Sequence, residues 1–170
     1  SACARLEVAT VSSWAFVNPT QLNGRRLLAA VLRRQLLPQP SAPSTAPARW
    51  AVLVLHDPDE SQSSFFAGAI RALVDCASEP SEQTGSSSAK IAQDSLRALL
   101  LIVAGLIRRP DFIPATVSDL IEGLPDDSIK AVDACVLKSH GSSTSLQDRL
   151  ARDRTLAAEA GVALHKNALL

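Results

Sequence analysis

The run His56-Asp57-Pro58-Asp59-Glu60 carries the strongest chemical suggestion in the chain. It follows residues 50–55, Trp-Ala-Val-Leu-Val-Leu, which are apolar on every face and read as a buried strand. Carboxylates at the end of a strand are where nucleotide-sugar transferases and nucleotide hydrolases hold a divalent metal, because hard cations want carboxylate oxygens. A metal-dependent α/β transferase or hydrolase built here would place Asp57 and Asp59 on the metal and use His56 as acid or base. Helix capping accounts for the same residues with less. Asp57 suits the N-cap, Pro58 the first helical position and Glu60 the third, while Asp59 adds negative charge to the positive end of the helix dipole. The chain has no glycine-rich loop ending in Lys-Ser or Lys-Thr to cradle a phosphate. Capping is the reading we adopt, with no catalytic residue assigned.

The other candidates also have structural explanations. Histidines occur at 56, 140 and 165. Cys135 and His140 are close in sequence, but structural zinc needs a second pair, so no metal and no cofactor is expected. His140 falls near a helix end, where an imidazole meets free carbonyls. No Gly-x-Ser-x-Gly elbow is present, and Cys76 sits on the core side of its helix, where cysteine serves as a small hydrophobe. Asp126 and Asp127 read as turn and cap. Three cysteines at 3, 76 and 135, odd in number and widely spaced, read as thiols in a reducing intracellular compartment, cytoplasm or nucleus.

Two surfaces are better suited to binding than to catalysis. A helix is expected over 19–37, capped by Asn18, with Pro19 first, Gln21 completing a capping box, and a stop before Pro38. At about 100° per residue, Leu27, Leu28, Val31 and Leu32 share one side, while Arg25, Arg26, Arg33 and Arg34 share the other. Four guanidinium groups on one face can meet an acidic protein, phosphates of nucleic acid or lipid, or the chain's own acids. Residues 1–56 hold six arginines against the single acid Glu7, and residues 57–140 hold thirteen acids against seven bases. With formal net charge +0 the nucleic-acid reading is the weaker one. The second surface is a last helix opened by Thr144 and Gln147, whose narrow stripe of Leu146, Leu150, Ala157, Ala160 and Leu164 suits docking on a helical surface, in cis or on a partner.

The elements that must position these groups are mostly helical. Hydrophobic residues make up 46% of the 170 and aromatics only 4%, with no Tyr and no Met, so Leu, Val, Ile and Ala must build the core. So few rings argue against base-stacking platforms. The missing Met makes Ser1 a trimmed start or the first residue of an excised segment. No signal peptide is evident. The longest apolar run, 98–107, is about half of what spans a bilayer. Further helices are expected after Asp57 up to Ser78, over 89–108 as the central helix, from an Asp111 cap to Glu122 with Gly123 beyond it, and over 127–139.

The expected fold is mostly α, about six helices packed as hairpins around the helix at 89–108 in a single domain, 1–170, with a Pro-rich loop at 38–48 and a Ser-rich loop at 78–88. The alternative is a small α/β layer in which strands 5–12 and 50–55 pair in parallel across the helix at 19–37. No repeat of fixed period is present. The function expected is a non-enzymatic interaction module or a subunit of a larger complex, with other protein subunits as partners and no small-molecule ligand. The alternatives are the metal-dependent enzyme at Asp57 and Asp59 and a nucleic-acid-binding module using the arginines.

Overall fold

A computed structural model describes residues 11–36, 49–78, 86–140 and 145–170. The loop at 38–48, Cys3, Thr144 and most of the strand expected at 5–12 and of the loop at 78–88 lie outside them. The described chain is mostly helical, with six α-helices and a small three-stranded sheet. In order these are β1 (Val11–Val17), α1 (Leu22–Leu36), β2 (Arg49–Val54), a 3-10 turn (Ser61–Ser63), α2 (Ser64–Ser78), α3 (Ser86–Arg108), α4 (Val117–Ile121), α5 (Asp126–His140), α6 (Leu146–Glu159) and β3 (Ala168–Leu169).

β1 and β2 run parallel with α1 as their crossover, and β3 returns antiparallel on the other side of β1. The parallel pair of the alternative architecture is therefore present beside the helical majority. Its first strand is 11–17, beginning later than the 5–12 expected. Alternation along the strands divides the side chains between two faces. Ala15, Val17, Val52 and Val54 join the main core with Leu28, Leu32, Phe66, Ile70, Leu99 and Val103 from α1, α2 and α3. Phe16, Leu53 and Leu55 face the other way, onto Ala157 of α6. The central helix is where periodicity puts it: α3 packs on α1, α2 and α5.

Helix starts are where local pattern and structure part. α1 begins at Leu22 because the Asn18 side chain is engaged in a turn, accepting from Thr20 N (3.0 Å) and Thr20 Oγ1 (2.6 Å). Its Nδ2 donates to the Leu164 carbonyl (3.0 Å). Asp57 likewise closes a turn, with Oδ1 accepting from Asp59 N (3.0 Å), and α2 starts only at Ser64. The short helix α4 is capped by Thr116 and Asp119 in a reciprocal box, in place of Asp111, since Pro114 keeps the residue before it out of helical backbone. α6 is capped by Ser145, whose side chain accepts from Asp148 N. It ends at Glu159, where Gly161 (φ 74°) and the bonds Val162 N to Ala157 O and Gly161 N to Ala158 O form a Schellman stop.

Arg25 fixes the relation between the crossover helix and the central one. The helical wheel puts it on the outer face; the structure buries it to 1% exposure. Its Nε donates to the Pro19 carbonyl (2.7 Å). Nη1 reaches the carbonyls of Leu106 (3.0 Å), Arg109 (3.0 Å) and Pro110 (3.2 Å), and Nη2 that of Phe112 (2.6 Å). The last carbonyls of a helix have no intrahelical donors and form the negative end of its dipole, so one guanidinium caps α3 from a neighbouring helix. Burial lowers its pKa, against the charge of Asp111. Gly24, just before it, lies so close to the end of β1 that a Cβ would sit 1.9 Å from the Asn18 carbonyl oxygen.

The cysteines correct the sequence reading outright. Cys76 of α2 and Cys135 of α5 are joined as a disulfide with Cα atoms 5.9 Å apart, so they are not the free thiols expected. The expected reducing compartment loses its support with them. A cross-link spanning 59 residues restricts the unfolded chain by about 4 kcal/mol in the loop-entropy account. No helix among the described residues is long and apolar enough to cross a membrane.

Arg25→Lys tests the cap on α3. A lysine keeps the charge but cannot fork, so several buried carbonyls lose their donors, and urea unfolding should show a loss of about 3 kcal/mol or more. A loss below about 1 kcal/mol would mean that the carbonyls find other partners.

Candidate functional site

With Arg25 withdrawn, the exposed basic face of α1 consists of Arg26, Arg33 and Arg34. Among the described residues no ion pair engages any of them; the pairs there join Arg71 and Arg149 to Asp75 and Asp153. No described acid of the segment 57–140 forms an ion pair with this face. Because Arg25 ties the first turn of α1 to the last turn of α3, the exposed Arg108 and Arg109 lie beyond the same end. Arg109 is held over the Phe112 ring, its guanidinium carbon 3.7 Å from the centroid.

His56, Asp57 and Asp59 stand at the carboxyl end of the parallel strands, the position where α/β sheets bind ligands. His56 is 3% exposed and Ser63 1%. The Ser63 hydroxyl donates to the Glu60 carbonyl (2.9 Å) and lies 3.2 Å from His56 Nδ1. Which of the two donates at that contact follows from the imidazole tautomer. Asp57 and Asp59 are turn residues, and no group of three or more His, Cys, Asp or Glu among the described residues could hold a metal ion.

Of the apolar stripe expected to bind a partner, Leu150 is fully buried in the chain's own core. Leu146 is half-buried and lies 3.9 Å from a Cβ built on Gly68. Leu164 is off the helix altogether, in the turn that follows the Schellman stop. The docking of α6 is therefore largely internal.

Sequence reasoning passed over a charged cluster at the outer edge of β2. Arg71 donates from Nη1 to the Val52 carbonyl (2.8 Å) and to Asp153 Oδ2 (2.7 Å), and from Nη2 to Asp75 Oδ1 (2.5 Å). Asp153 Oδ2 also accepts from Val54 N (2.9 Å), and Arg149 pairs with Asp75. Burial alone would lower the Arg71 pKa, but Asp153 and Asp75 outweigh it, and the group titrates above its ordinary value. The signal for this cluster was present in the i, i+4 pairs Arg71/Asp75 and Arg149/Asp153, the first of them set among apolar neighbours. The same side chains, with Trp14, Leu53, Arg152 and Leu156, line a shallow cavity of about 220 Å³.

No known protein family matches this chain, nor does any curated protein or solved structure.

The buried imidazole makes stability depend on pH. Burial first, and the Arg154 charge second, lower the His56 pKa against the opposing pull of Asp57 and Glu60. The unfolded chain therefore binds a proton at a higher pH than the native one. The stabilising effect is fully present above the unfolded value of about 6.5 and is lost as the pH falls from there through the native pKa. Between about pH 7.5 and about pH 5.5 the wild type should lose more stability in urea than His56→Gln; equal losses would show that the imidazole titrates as in the unfolded chain.

Proposed function

We propose that this chain is a non-enzymatic interaction module that docks an acidic protein surface through the arginine face of α1. The observation that supports it is the exposure of Arg26, Arg33 and Arg34 on one helical face with no ion pair to any described residue. Arginine forks match carboxylates in a bidentate geometry and lose less solvation than lysine on contact, which suits them to interfaces. A helix also holds them in fixed relation, so an acidic partner meets a rigid row of charges. The face is built on the element whose buried side caps the central helix, so its position is set by the core.

The test compares the wild type with an Arg26→Glu, Arg33→Glu, Arg34→Glu variant expressed in the source cell. We expect the wild type to elute as an assembly larger than a monomer at about 0.1 M salt and to dissociate as the Debye length shrinks at higher salt. The variant should elute as a monomer with an unchanged melting temperature, and nuclease treatment should leave the wild-type assembly intact. A monomeric wild type, or an assembly indifferent to the substitutions, overturns the proposal. An assembly dissolved by nuclease replaces the protein partner with nucleic acid.

A further inference from the structure

The two helices on the flanks of the fold are held by different means. α6 buries Leu150 and Ala157, and its Asp153 and Arg149 are locked into the cluster around Arg71 and Asp75. α5 buries only Ala131, Val132 and Cys135 among its described side chains, while Leu137 is 74% exposed. No ion pair among the described residues ties α5 to the rest. What holds it on α2 and α3 is Ala131 and Val132, Val136 partly buried beside them, and a covalent bond. Both cysteines are buried, Cys76 near the end of α2 less completely (8% exposed) than Cys135 (1%).

We propose that the Cys76–Cys135 disulfide is a redox latch on α5, opened by a dithiol reductant while the sheet and the other helices stay folded. A thiolate of the reductant attacks Cys76 Sγ, the Sγ–Sγ bond breaks, and Cys135 leaves as a thiolate that takes up a proton. The second thiol of the reductant then attacks the mixed disulfide, closing its own disulfide and releasing the Cys76 thiol. Two electrons and two protons pass to the chain, and the dithiol is oxidised. With the bond open, burial of Ala131 and Val132 with part of Val136 does not match the loss of order that fixing a helix entails, so α5 opens locally. Sub-global opening of this kind exposes one element and leaves the rest protected.

Hydrogen exchange on the whole chain tests this without reference to any partner, so its failure is separate from failure of the arginine reading. The oxidised protein, the protein after dithiothreitol without denaturant, and a Cys76→Ser, Cys135→Ser variant are compared. We expect dithiothreitol to reduce the native protein. Exchange across 126–140 should rise about tenfold or more in the reduced protein and in the variant, with 52–55 and 66–74 still protected. A bond that resists dithiothreitol until denaturant is added overturns the proposal. So does reduction that unfolds the whole chain, or reduction that leaves 126–140 as protected as before.

Discussion

The architecture depends on one guanidinium reading five carbonyls. Arg25 takes the end of the central helix α3 and the Pro19 carbonyl before α1 into a single fork of donors. The Leu106 and Arg109 carbonyls also accept from the amides of Arg109 and Phe112, so the guanidinium adds to these bonds and is the side-chain donor that joins the end of α3 to α1. Because α1 is also the crossover between the parallel strands, the same residue sets the distance from the sheet to the central helix. Gly24 permits this, since the closeness of α1 to the end of β1 leaves no room for a side chain.

The outer edge of β2 poses a second polar problem and has a similar answer. An unpaired strand edge invites pairing with another chain. Here its outward groups are taken by side chains: Gln35 at the Trp50 carbonyl, Arg71 at Val52 and Asp153 at Val54. The acid and the base on the strand are themselves paired, so the edge is closed by a neutral unit drawn from two helices. This is where the third layer is attached, since Phe16, Leu53 and Leu55 offer α6 an apolar face but little to fix its register.

Local pattern showed the helices and left their partners unread. The helix read at 89–108 and the hairpin of α4 and α5 around Gly123 were legible, because each rests on periodicity or turn chemistry within a few residues; the parallel pair was read only as the alternative, with its first strand at 5–12 where the structure has 11–17. Asn18 and Asp57 misled because a cap is decided by what else competes for the side chain, and Asp111 because Pro114 stands between it and the helix. Asn18 was claimed by its own turn and by Leu164, far away in sequence. Arg25 could not be told from Arg26 on a helical wheel: a long cation in an apolar environment looks like a surface residue until the carbonyls it serves are placed. The arginines at 26, 33 and 34 were legible as a face because exposure requires no partner. Cys76 and Cys135 were opaque, since no spacing rule joins two cysteines 59 residues apart.

The position of β1 has a consequence for the order in which the protein is made. Its neighbours in the sheet come from very different times in synthesis. Trp14 exchanges both backbone hydrogen bonds with Leu170, and the amide of Asn18 donates to the Asn167 side chain. At ribosomal speed roughly 150 residues take on the order of ten seconds, far longer than a hairpin needs to form. Throughout that interval the middle strand of the sheet has one free edge. A nascent chain in this state offers a pairing site that the finished chain lacks.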